Sequence, residues 1–139
     1  MIAAFSAANA LRRDYPALRR GWPTILHEDR PNGIMVFERA HEGDERVVTV
    51  VNAGRRAFQD GEYGAWVGGG SFRQVYCSAD VAFGGDPACC KSNGGAPLHA
   101  HDGKLYLSLP PTCTLVFVQL YDPPAAEAEG GGGMQGVWP

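Results

Sequence analysis

The sequence predicts an all-β fold: an antiparallel β-sandwich of about seven or eight short strands, preceded by one N-terminal helix. Three observations carry this. Nineteen glycines and ten prolines in 139 residues demand many turns and disfavour long helices. Runs of β-branched and aromatic residues recur between those turns. Amphipathic helical spacing is confined to the first twenty residues.

The opening segment "MIAAFSAANALRRDYPALRR" places Ala4, Ala8, Leu11 and Tyr15 at helical spacing, and Pro16 ends that helix. The segment is Arg-rich and has no acid before Asp14, as transit peptides are. The clean run of the pattern into "YPALRRG" favours a helix of the fold. It holds no continuous apolar stretch of the kind a secretory signal needs.

After Gly21 the period changes. "TILHED" (Thr24–Asp29) and "GIMVFERA" (Gly33–Ala40) flank "RPNG", where Pro31 and Asn32-Gly33 supply turn chemistry, so the two form a hairpin. "RVVTVVNA" (Arg46–Ala53) is apolar on both faces, which predicts a central strand covered on each side. "GRRAFQDG" (Gly54–Gly61) reads as a polar connection. "EYGAWV" (Glu62–Val67), the turn "GGGS" and "FRQVYCSA" (Phe72–Ala79) come next.

The stretch from Asp80 to Pro97 is the longest loop. "LHAH" is a brief strand before the Asp102-Gly103 turn. In "KLYLSLP" (Lys104–Pro110), Leu105, Leu107 and Leu109 face one way and Lys104, Tyr106 and Ser108 the other. "TCTLVFVQL" (Thr112–Leu120) is again apolar on both faces. Residues 122–139, with Pro-Pro and four consecutive glycines, read as a disordered tail. The domain reading is therefore a terminal helix over residues 1–21, a sandwich over 22–121 and the tail.

Function classes narrow quickly. A net charge of −3 gives no electrostatic reason to expect nucleic acid or an anionic membrane as partner. No apolar run approaches the roughly 20 residues of a spanning helix. The cysteines Cys77, Cys89, Cys90 and Cys113 form no C-x-x-C pair, which disfavours structural zinc and predicts reduced thiols in an intracellular protein. Neither "VGGGSF" nor "AFGGDP" leads through a Lys into a helix, so neither is a phosphate loop. His99 and His101 alternate beside Asp102 but lack a further spaced ligand, so a solvated strand end is the better reading and no cofactor is expected. No base accompanies the cysteines, and the acids fall mostly in turns, so no catalytic residue is assigned. The flat aromatics Trp22, Trp66, Tyr63, Phe72 and Tyr76 can stack on a sugar as well as fill a core, and core is the commoner use; Trp66 and Tyr63 are the candidates for glucan contact, with Trp66 the residue to test for exposure.

Read in order, four phrases resemble a known family. "ALRRDYPALRRG" resembles the end of the last barrel helix in α-amylase-type glucan-active enzymes. "NGIMVFER" with "ERVVTVVNAG", then "GEYGAWVGGGSFRQVYCSADVAFGG", then "LYLSLPPTCTLVFV", are similar to successive phrases of their C-terminal all-β domain. Ser78, Asp80, Phe83, Gly84 and Gly85 are the strongest markers, read structurally as a strand exit. Ser78 and Asp80 there bond local amides and Phe83 plugs the core. Within glycoside hydrolase family 13, these markers and the "LPP" of Leu109–Pro111 look most like 1,4-α-glucan branching enzyme, with α-amylase as the alternative.

Two departures stand out. Ala79 separates Ser78 from Asp80, where the family often has Ser and Asp adjacent, and "DPACCKSNGG" departs from the family pattern.

The resemblance implies an accessory domain that packs on a catalytic (β/α)8 barrel, expected in cis or missing from the gene model. The glucan, starch or glycogen, is the implied partner, and cytoplasm or plastid the implied compartment. No position here matches the family's catalytic carboxylates, so this polypeptide alone is expected to be inactive. A free-standing carbohydrate-binding or interaction-only sandwich is the remaining alternative.

Overall fold

A computed structural model describes residues 2–41, 45–80 and 91–120. Among the described residues, two helical segments, α1 (Ile2–Asp14) and α2 (Ala17–Arg20), precede eight strands. These are β1 (Trp22–Asp29), β2 (Ile34–Ala40), β3 (Val47–Asn52), β4 (Phe58–Trp66), β5 (Ser71–Cys77), β6 (Leu98–His99), β7 (Lys104–Leu109) and β8 (Cys113–Gln119). One turn of 3₁₀ helix spans Ser92–Gly95.

Six strands form one antiparallel sheet in the order β1-β2-β3-β8-β5-β6. β4 and β7 form a two-stranded antiparallel sheet that lies against it. The core fills the space between: Ile34, Val36, Val48, Val50, Phe72, Leu115 and Phe117 from the large sheet meet Phe58, Tyr63, Ala65, Leu105, Leu107 and Leu109 from the small one. The expected sandwich is therefore present, with strongly unequal sheets.

β3 and β8 are covered on both faces, as their continuous apolar text requires. Their alternate residues Val47, Val116 and Val118 point outward and pack with Ala17 in a second cluster, joined by Leu11, Tyr15 and Leu18. The N-terminal helices thus form a third layer on the outer face of the large sheet. Pro16 separates α1 from α2, as expected from its missing N–H. Ala8 departs from the expected face and is exposed. Of the expected stripe, Leu11 and Tyr15, at and just beyond the C-terminal end of α1, pack against the sheet cluster. Gly21 closes the junction: a Cβ there would sit 2.8 Å from the carbonyl oxygen of Ala17 and 2.9 Å from the backbone of Ala40.

β4 begins earlier than its sequence suggests. Phe58 pairs with Leu109, and Tyr63 with Leu107, so four residues of β4 face one of β7. Gln59–Glu62 bulge outward, with Gly61 at φ +78° and the Gln59 amide donating to the Glu62 carboxylate at 2.7 Å. This polar bulge is why residues 54–61 read as a connection although Phe58 belongs to the core.

The Asp102-Gly103 turn is a two-residue hairpin. His101 and Lys104 exchange both backbone hydrogen bonds, at 2.9 and 3.0 Å. Asp102 and Gly103 both adopt positive φ, 54° and 80°, as a type I′ turn requires.

Candidate functional site

The stacking candidates divide by strand parity. Tyr63 and Trp66 are three residues apart on β4, so their side chains lie on opposite faces. Tyr63 turns inward and is 7% exposed. Its hydroxyl donates to Asp29 Oδ2 at 2.8 Å and contacts His27 Nε2 at 2.9 Å. The carboxylate can only accept, so the phenol proton points to Asp29 and His27 donates from Nε2. Phe58 packs edge-on against the ring at 4.8 Å. Asn32 fixes Asp29 in turn, its side-chain amide donating to Oδ2 at 2.8 Å.

This network holds the Asp29 carboxyl below its usual value, first through Asn32 and then through Tyr63. Burial, then the hydrogen bond to Asp29, raises the Tyr63 phenol far above 10.0. The network ties the first hairpin to the small sheet. Tyr63 is corrected as a sugar contact: its ring is core and its hydroxyl is engaged.

Trp66 faces solvent on the outer side of β4–β7 and is 43% exposed. It is opposite Lys104, while Gly64 is opposite Tyr106. That register places Tyr106 on the same face, diagonal to Trp66 and 42% exposed. Each ring covers a glycine. A Cβ at Gly103 would lie 2.3 Å from Trp66 Cζ3, and one at Gly64 would lie 3.0 Å from Tyr106 Cε1. The Lys104 stem also crosses Gly64, with Cδ at 3.4 Å from the same added atom. Tyr106 was legible in the sequence as a residue of the non-leucine face of β7. Its pairing with Trp66 depends on β4–β7 register, which sequence does not show.

Of the strand-exit markers, Ser78 carries on the β5–β8 pairing. Its amide donates to Thr114 O at 3.0 Å, and its hydroxyl accepts from the Thr114 amide at 2.9 Å. The expected local bond is thus a cross-strand one. The Asp80 amide closes a turn onto Cys77 O at 3.1 Å. Phe83, Gly84 and Gly85 lie outside the described residues, as do Cys89 and Cys90. Cys77 and Cys113 are buried and packed in the core, in no disulfide.

His99 Nδ1 is engaged by the Ser71 hydroxyl at 2.6 Å, and Ser71 is buried, so this pair presents no accessible nucleophile. Among the described residues, no three His, Cys, Asp or Glu side chains come together as a metal-binding group. No helix among them is long and apolar enough to cross a membrane.

Comparison with curated proteins gives no match. Among solved structures, an Anoxybacillus α-amylase described as giving insight into a new glycosyl hydrolase subclass superposes with a TM-score of 0.53 at 23% identity. The superposition covers 88% of this chain but 23% of that one, so the chain spans about a quarter of the enzyme it resembles in fold. The family model for the α-amylase C-terminal all-β domain matches residues 25–119. Because that match runs from within β1 to the last residue of β8 and takes in both sheets, the chain belongs to the α-amylase C-terminal all-β domain family.

Proposed function

We propose that this chain is the C-terminal domain of an α-glucan-active enzyme and packs on a catalytic barrel in cis. The observation that carries the reading is the family match over both sheets, joined to an uncovered N-terminal surface. Three of the five exposed large apolar side chains among the described residues precede position 26: Phe5, Trp22 and Ile25, at 72%, 85% and 59% exposure. They lie on α1 and on the edge strand β1, where an unpaired strand edge and apolar side chains call for a covering partner. The segment Ala10–Gly21, which spans the end of α1 and all of α2 and resembles the end of a final barrel helix, leads directly into that surface.

Within the family, Ser78–Gly85 and the "LPP" of Leu109–Pro111 favour a branching-enzyme parent. Such a parent cleaves an α-1,4 link with a carboxylate nucleophile and a carboxylic acid, then transfers the glucan to a 6-hydroxyl. The second reading, an α-amylase parent, is favoured by the fold likeness to the Anoxybacillus enzyme. In both readings the catalytic carboxylates belong to the barrel, and this domain supplies packing.

The test is to express the chain joined to any barrel encoded upstream of Met1 in the same frame, and to supply amylose. A branching parent lowers iodine staining without new reducing ends. An amylase parent lowers it while reducing ends accumulate. Turnover by the 139-residue polypeptide alone, or an upstream frame that encodes no barrel, overturns the proposal.

A further inference from the structure

The geometry points to a stacking platform for an α-1,4-glucan chain on the outer face of β4–β7, formed by Trp66 and Tyr106. It deepens the reading above, since the ligand class rests on an α-glucan-active parent, but the contacts are local to this chain.

Both rings are held against the sheet. Trp66 lies over Gly103 and Tyr106 over Gly64, each so close that an added Cβ would reach its ring. Each ring is therefore seated on the backbone of a glycine while remaining 43% and 42% exposed. Trp22 offers the contrast: at 85% exposure its ring rests on little. Side chains already immobilised lose little rotamer entropy on binding, which favours recognition by a few contacts.

The two rings are also placed to act together. Trp66 and Tyr106 are diagonal cross-strand neighbours, a separation of about 7–8 Å between backbones. Two exposed rings at that spacing can hold two points of one oligosaccharide. The electron-rich face of an aromatic ring meets the C–H face of a pyranose, which is apolar and carries slight positive charge. Lys104, exposed beside both rings, offers donors to the sugar hydroxyls at the rim.

The patch is too small for a protein partner. Two half-exposed rings on a two-stranded ribbon fall far short of the roughly 800 Å² per partner that a stable protein interface buries. A single polysaccharide strand needs no more than a narrow track.

The test is affinity electrophoresis of the 139-residue chain in gels containing amylopectin or the β-linked hydroxyethylcellulose. Amylopectin is expected to retard the wild type and hydroxyethylcellulose to leave it unretarded. Trp66→Ala and Tyr106→Ala should each weaken retention about fivefold or more, and Trp22→Ala should not. A second readout covers misfolding of those variants. In a Trp22→Phe, Trp138→Phe background, Trp66 is the sole tryptophan, and its fluorescence should shift on titration with maltoheptaose.

Unretarded wild type, equal retention in both polysaccharides, retention unchanged by Trp66→Ala and Tyr106→Ala, or a Trp66 emission indifferent to maltoheptaose each overturn the platform. Loss of the platform leaves the joined enzyme's turnover of amylose standing. An upstream frame without a barrel, together with specific retention in amylopectin, removes the parent-enzyme reading and keeps the platform.

Discussion

The indole of Trp66 occupies the space that a Cβ would need at Gly103, 2.3 Å from Cζ3. Gly103 is also the second residue of the type I′ turn and accepts the amides of Val67 and Gly68 at 2.8 and 3.0 Å. Turn, ladder end and aromatic ring therefore share one residue.

Gly103→Ala should lower stability by about 2 kcal/mol, the sum of a left-handed backbone penalty and a displaced ring, or about 5–10 °C in Tm. Gly61→Ala gives the reference. Gly61 has a similar φ of +78° but nothing within 4 Å of an added Cβ, so it should cost about 1 kcal/mol. Thermal unfolding of both variants checks the difference. Equal losses would mean the ring moves aside freely.

Asn52 is a buried knot at the end of β3. Its Nδ2 donates to Pro110 O at 2.8 Å and Arg56 O at 3.0 Å, and its Oδ1 accepts from the Gly54 amide at 2.9 Å. Asn52→Ala strands three backbone groups at once and should cost about 3 kcal/mol. Asn52→Asp keeps the acceptor but faces a carboxylate against two carbonyl oxygens, and should do no better. Urea unfolding checks this: the midpoint should fall in both variants with an unchanged slope.

The eight strands were legible because turn residues punctuate them and because β3 and β8 carry apolar residues on both faces. The division of labour between those faces was not legible. Val48 and Val47 look alike as text, yet one meets the small sheet and the other the helices. Tyr63 and Trp66 show what parity alone does tell: three residues apart on a strand, they cannot share a surface. Tyr106 could be assigned to a face but not to a neighbour. Asn52 gave no signal, since Arg56 and Pro110 reach it only through the pairing of Phe58 with Leu109 in β4–β7 and of Asn52 with Cys113 in β3–β8.

Asp29, held low chiefly by Asn32 and then by Tyr63, and Tyr63, raised chiefly by burial and then by Asp29, make stability depend on pH at both extremes. Asp29 has a folded pKa below its ordinary 3.8, so its contribution is complete above that value and is lost as pH falls through the lower folded value. Tyr63 is shifted upward, so its contribution is complete below 10.0 and is lost as pH rises above it. The stability gap between wild type and Asp29→Asn should be flat from about pH 5 to 7 and narrow below about pH 4. Tyr63→Phe should lose the part of the alkaline decline that begins near 10.0. Denaturant unfolding across pH checks both limbs, and a gap that widens in acid would reverse the assignment.

Arg46 joins the large sheet to the glycine turn beside the small one. Its Nε donates to the Glu38 carboxylate, Nη2 to the Val67 carbonyl and Nη1 to Gly69 O at 3.3 Å. The guanidinium also lies 5.4 Å from the centre of the Phe72 ring. Both charged side chains are 21% exposed, so the pair is partly shielded from solvent. Arg46→Met removes the fork and leaves Glu38 and the two carbonyls to find other partners. It should cost about 2–3 kcal/mol. Glu38→Gln should cost less, because Arg46 keeps both carbonyls and the ring. Arg46→Lys should fall nearer to Met than to Arg, since a point charge cannot serve three acceptors in a plane. Urea unfolding of the three variants ranks them, and a Lys variant as stable as wild type would reduce Arg46 to a simple countercharge for Glu38.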